Sequence, residues 1–139
     1  MQRPVPSLTL LAALLAGGAC SPPAPQQSAA TPPGVAWAVV VLYNQPKDTA
    51  AFEKYYAEKH VPLFVSHAQE IGVTRAELVR FAPGADGKPA PVYREADLRW
   101  DSKEAMDKGV ATAGFKAVVA DIPVFATGGF TLLMGRKTN

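Results

Sequence analysis

Residues Thr74–Trp100, "TRAELVRFAPGADGKPAPVYREADLRW", decide the fold of this chain. Thr74–Phe81 and Val92–Trp100 each alternate with the two-residue period of a strand. Between them Gly84, Asp86-Gly87 and three prolines make an exposed hairpin connection. The chain therefore carries two strands in direct succession at its centre, and the flanking segments decide what they pair with.

On the N-terminal side, Val35–Tyr43, "VAWAVVVLY", is a continuous apolar run rich in β-branched residues, which predicts a central strand. Asn44-Gln45-Pro46-Lys47 is a turn, and Asp48 suits the N-cap of a helix bearing Phe52, Tyr56 and His60 along one face. Pro62 pushes the residue before it out of the helical region, so the spacing predicts a helix ending at His60 or Val61. A second short helical piece, about Leu63–Glu70, ends at Gly72. On the C-terminal side Asp101-Ser102 caps a helix with Met106 and Val110 one turn apart. Gly109 and Gly114 weaken it, Thr112 restarts it towards Asp121, and Pro123 ends it. After Gly128-Gly129, "FTLLMG" is the last strand. The order β-α-β-β-α-β specifies an α+β, ferredoxin-like domain: a four-stranded antiparallel sheet with helices on one face.

The domain is expected to span residues 35–139. Residues 1–19, "MQRPVPSLTLLAALLAGGA", have the basic start, short apolar run and small-residue end of a signal peptide. Cys20, the only cysteine, follows "LLAGGA" in a segment that resembles a bacterial lipobox, although Gly17 stands where leucine is usual. The resemblance implies lipidation at Cys20 and a membrane anchor without a spanning helix, in the cell envelope; ordinary cleavage after Ala19 would instead leave a secreted or periplasmic protein. Residues 20–34 continue into a Pro/Ala-rich tether, too poor in apolar surface to offset the entropy of ordering. Of the 14 basic residues only Arg3 lies in the leader, so the domain is nearly neutral against its 12 acidic residues. With no basic cluster interleaved with aromatics, nucleic-acid binding is set aside.

His60 is the candidate for chemistry. An imidazole titrates near pH 6.5, a helix C-terminus favours its charged form and an apolar pocket its neutral form; those opposing pulls suit a general acid or base. Tyr56 lies one turn earlier on the same face, where its hydroxyl would position a ligand oxygen. The plainer alternative is a histidine that only bonds the last free helix carbonyls, beside core tyrosines. His67 has no motif around it. Two histidines and one cysteine make no metal-ligand cluster, so no metal and no cofactor are expected. Trp37, Phe52, Phe64 and Trp100 suffice to line an aromatic-accepting pocket, although a core of this size also needs them.

"YYAEKHVPL" (Tyr55–Leu63) and "FKAVVADIPVFATGGFTLLMG" (Phe115–Gly135) resemble the opening and closing signatures of the EthD-domain family, with "ADLRWDSKEAM" between them as its third strand and second helix. The resemblance implies a dimeric α/β barrel: two protomers face to face across their open sheets, each with a ligand pocket between sheet and helices. It implies that His60, in the family's H-x-P, points into that pocket. Asp121 matches an acidic position of the second signature and would orient His60 if the two helix ends meet, as carboxylates orient histidines in acid–base sites. By its position before Pro123, Asp121 reads more readily as a turn-capping residue. The implied activity is cofactor-free acid–base chemistry of the isomerase or lyase type, or the oxidoreductase label often given to the family. The alternative is a non-catalytic ligand-binding or dimeric structural lipoprotein.

Overall fold

The computed structural model describes residues 36–138. The expected signal peptide, Cys20 and the tether lie outside the described residues. Within them the chain runs β1 (Trp37–Tyr43), α1 (Thr49–Tyr55), a π-turn (Tyr56–His60), α2 (Val61–Ile71), β2 (Arg75–Arg80), β3 (Arg94–Trp100), α3 (Lys103–Ala111), α4 (Ala113–Phe125) and β4 (Phe130–Arg136). The four strands form one antiparallel sheet in the order β2-β3-β1-β4. This is the α+β, ferredoxin-like arrangement expected from the strand and helix order.

The local signals act as their chemistry requires. Asp48 Oδ1 accepts from the Ala51 N–H, Ser102 Oγ from Ala105 and Thr112 Oγ1 from Phe115, so α1, α3 and α4 each start on a side-chain cap. Gly72 ends α2 at φ 69°, a left-handed position that glycine adopts without steric cost. Trp37↔Trp100 and Tyr43↔Arg94 close the register of β1 on β3. That register puts Val39, Val41 and Tyr43 on the same face as Leu98 and Trp100, in one core with Phe52, Ile71, Ile122 and Phe125. Trp100 is wholly buried and donates Nε1–H to the Ile71 carbonyl at 3.0 Å, tying β3 to the end of α2.

Two expected helix ends do not occur. Val61, before Pro62, is helical at φ −63° and ψ −47°, and the backbone runs on into α2. The π-turn is the reason. Val61 N–H bonds back to Tyr56 O, five residues away, where an α-helix would bond four back. A proline in a helix lacks a donor and collides with the carbonyl four residues earlier; the widened turn shifts the bonding row just where Pro62 enters. Pro123 likewise lies inside α4, in its last turn, and the helix reaches Phe125.

Polar contacts tie down the start of β3 and the sheet face away from the helices. Tyr93 precedes β3 and turns to the helix side, edge-on to Phe52 at 5.2 Å, with its hydroxyl on Glu53 Oε1 at 2.8 Å. Asp97 stays on the outer face but is only 3% exposed within a single protomer. It accepts from Arg99 at 2.9 Å and from Lys137 at 2.5 Å, while Arg99 also reaches Glu77. Burial pushes the Asp97 carboxyl up, and the bonds from Arg99 and Lys137 outweigh it, leaving a net lowering.

Candidate functional site

The π-turn carries the site. Phe52, Tyr56 and His60 form one buried stripe, Phe52 stacked on Tyr56 at 5.7 Å and Tyr56 tilted against His60 at 5.4 Å. Because the helix continues past His60, the imidazole is held by backbone on both sides and only 5% of the residue meets solvent. Phe125 of α4 closes over the ring, with centroids 4.7 Å apart.

Asp121 comes from α4. Its Oδ2 lies 2.9 Å from His60 Nδ1, and its Oδ1 accepts the Tyr55 hydroxyl at 2.8 Å. Asp121 is a helical residue that bridges to the π-turn, so the turn-capping alternative is overturned: with α4 running past Pro123, no turn is there to cap. A carboxylate on Nδ1 fixes the proton on that nitrogen and leaves Nε2 as a lone-pair acceptor. Nε2 lies 3.5 Å from the Tyr43 hydroxyl. Burial lowers the His60 pKa, against the opposing hydrogen bond and charge of Asp121, so the neutral imidazole is favoured.

His60 lines a cavity of about 40 Å³ between sheet and helices. Tyr43, Tyr56, His60, Phe64, Leu78 and Phe115 are among its lining residues, and its other walls are aliphatic. Tyr43 and Tyr56 have their hydroxyl pKa values raised, chiefly by burial, and stay neutral donors at working pH. Arg94 lies over the Tyr56 ring, 4.5 Å from its centroid, and pairs with Glu53 at 2.7 Å.

The proposed residues separate by position. His60, Tyr56 and Phe64 line the cavity, and Asp121 stands behind His60. Phe52 and Trp100 are core residues outside the lining, and half-buried Trp37 sits at the start of β1 with Lys103 5.7 Å over its ring. The pocket-lining expectation is corrected for these three: their side chains pack into or beside the core. Tyr43 and Tyr55 were missed. Tyr43 ends the apolar run of β1 with the parity of Val39 and Val41, a signal hidden because both faces of that strand are apolar. His67 is half-exposed and pairs with Glu70 on α2, away from the cavity. Among the described residues no group of three or more His, Cys, Asp or Glu could hold a metal ion, and no helix is long and apolar enough to cross a membrane.

A second depression, open and about 570 Å³, lies between the start of α1 and the β2–β3 connection, lined by Gln45, Thr49, Glu53, Arg80, Phe81 and Tyr93 among others. Among the described residues it contains no histidine, and its titratable groups are Glu53, Arg80 and Tyr93.

No family model matches the chain. Among curated proteins it is similar to an uncharacterised 11.0 kDa protein of the thcB–thcC intergenic region of Rhodococcus erythropolis, 37% identical over 99 residues, covering 68% of this chain and 88% of that protein. Among solved structures it is similar to an EthD family protein from Bacillus halodurans, with TM-score 0.65 and 25% identity over 74% of this chain and 99% of the other. An EthD-like protein from Ralstonia eutropha follows at TM-score 0.52 and 20% identity over 74% and 90%. A dimeric ferredoxin-like protein of unknown function from Thermobifida fusca shares the fold at TM-score 0.54 and 11% identity over 75% and 92%.

Proposed function

The chain belongs to the EthD family, and from that premise we propose that it binds a small, mostly apolar, oxygen-bearing molecule and transfers protons on it without a cofactor, as an isomerase or lyase. His60 is the acid–base, Asp121 positions it and Tyr56 assists. The observation that carries this reading is the Asp121–His60 pair, with His60 in the wall of an apolar cavity. A general base needs that combination: an acceptor within reach of the ligand and a partner that steadies the imidazolium once it forms.

One observation favours a second reading. At about 40 Å³ the cavity admits only a small group or the tip of a ligand, which also suits a non-catalytic binding protein. Screening small oxygenated compounds against the protein and its His60→Ala variant separates the two. Turnover that is lost in the variant supports the enzyme; turnover that survives removes His60 from the chemistry. Compounds that bind to both proteins and react with neither favour the binding protein.

The homodimer is part of the same proposal. The outer sheet face sets Val40, Leu42, Val79 and Leu133 beside the Glu77, Asp97, Arg99 and Lys137 charges, an apolar strip with paired ions at its edge. The Thermobifida fusca neighbour is described as dimeric. Light scattering on the protein from Gly34 onward tests this, and a monomer at high concentration contradicts it. Lipidation at Cys20, and with it an envelope location, rests on the "LLAGGAC" segment. Labelling with a palmitate analogue tests it; secretion without label contradicts the anchor.

A further inference from the structure

Tyr43 is a buried hydroxyl that takes no part in the Asp121–His60 pair. It is 1% exposed, the last residue of β1, and its ring is clamped edge-on by Phe52 and Tyr56, each at 5.7 Å, and lies tilted against Phe125 at 5.8 Å. Its hydroxyl also meets the Tyr56 side chain, and its contact with His60 Nε2 is 3.5 Å long. That is well beyond the usual O–H donor distance of about 2.8 Å. A buried hydroxyl left with so long a bond forfeits much of the hydration it gave up. Tyr43 and His60 thus both line the same apolar cavity, and their polar atoms barely meet.

We propose that Tyr43 and His60 form a carbonyl-handling pair: the Tyr43 O–H binds a ligand's carbonyl oxygen while His60 Nε2 takes a proton from the adjacent carbon. The substrate class is then a small neutral ketone or aldehyde with an enolisable C–H, and the assignment rests on the reading of His60 as the acid–base. The distances agree. A carbonyl oxygen and its α-carbon are about 2.4 Å apart, from C=O and C–C lengths of about 1.23 and 1.52 Å. Two such atoms, each about 3 Å from its own partner, fit groups separated by 3.5 Å. Among the described residues the cavity lining contains no Lys, Arg, Asp or Glu. A carboxylate or phosphate entering it would find no opposite charge, whereas a neutral carbonyl with a hydrocarbon remainder is matched by Val41, Leu98, Val118 and Ile122.

The step balances within the site. The C–H bond breaks, its proton goes to Nε2 and its electron pair forms a C=C bond. The carbonyl π pair moves onto oxygen, where the developing charge is held by the Tyr43 hydrogen bond. The imidazolium, steadied by Asp121, returns the proton to the same carbon or to the far end of a conjugated enolate. Nothing is oxidised, and the second outcome is an isomerisation.

The test is deuterium exchange into 2-butanone in D2O, followed by proton NMR with the full chain. The wild type is expected to exchange the α-protons faster than buffer, His60→Gln to fall to buffer, and Tyr43→Phe to fall about 100-fold, the loss typical of one oxyanion donor. Exchange in Tyr43→Phe within twofold of wild type, with His60→Gln inactive, overturns Tyr43 and leaves the acid–base role of His60 intact. Exchange surviving in His60→Gln overturns both. Should Tyr43→Phe fail to fold, the carbonyl carbon resonance of 13C-labelled 2-butanone bound to the wild type decides: a downfield shift supports the bond, and an unmoved resonance overturns it. A wild type that leaves 2-butanone unexchanged overturns the carbonyl assignment while leaving His60 free to act on other compounds.

Discussion

Asp121→Asn removes the charge behind His60 while keeping the shape of the side chain. The carboxylate accepts two hydrogen bonds, from His60 Nδ1 at 2.9 Å and from the Tyr55 hydroxyl at 2.8 Å. An amide accepts with one oxygen only, so one of the two must reorganise. If its oxygen faces Tyr55, its NH2 faces Nδ1, forces the other tautomer and puts an N–H where the lone pair stood. Exchanging a bond to a charged acceptor for a neutral one costs about 1–2 kcal/mol. For a domain of this size that is roughly 5–10 °C in Tm.

The pH dependence carries the sharper sign. Asp121 raises the His60 pKa against the lowering by burial, so its loss moves the imidazole pKa further below 6.5. Above pH 6.5 the ring is neutral in folded and unfolded chains alike, and only the hydrogen-bond cost separates variant from wild type. As pH falls below 6.5 the unfolded chain binds a proton that the folded one resists. Stability then drops in both proteins, and further in the variant, whose folded pKa is lower. Urea unfolding at a series of pH values, with NMR titration of the imidazole, measures both effects. An imidazole pKa that stays put or rises in Asp121→Asn would refute the coupling.

Tyr55→Phe should move His60 the other way: with one donor gone, more of the carboxylate charge acts on the ring and its pKa rises, as the same titration would report. Gly109→Ala should destabilise by about 1–3 kcal/mol in urea unfolding, because its Cβ would overlap the Ile71 carbonyl oxygen and lie 2.8 Å from Trp100 Nε1; an unchanged midpoint would contradict that close approach. Leu133→Asp, on the outer sheet face and half exposed, should leave the Tm of a protomer nearly unaltered yet shift the mass in light scattering from dimer to monomer. A dimer that persists would place the interface elsewhere.

The elements were legible wherever their cause is local. Alternation over Thr74–Phe81 and Val92–Trp100 marked β2 and β3, Asp48, Ser102 and Thr112 marked helix starts, and Gly72 marked an end. Pro62 and Pro123 misled because the rule for a proline concerns one turn in isolation, and at Pro62 the π-turn rearranged the bonding around it. His60 was legible as a candidate because its residue type and spacing lie within one helix.

The amino-acid order by itself therefore determined the succession of strands and helices and the stripe that ends in His60, since these depend on periods of two to four residues. Only the tertiary structure decided which groups meet that imidazole. Asp121 lies 61 residues away and Tyr43 17. Their approach depends on the register of β1 against β3, on the continuation of the helix through Pro62 and on the packing of α4. Hydrogen bonds of about 3 Å are set by those long-range choices, and no local pattern in the chain encodes them.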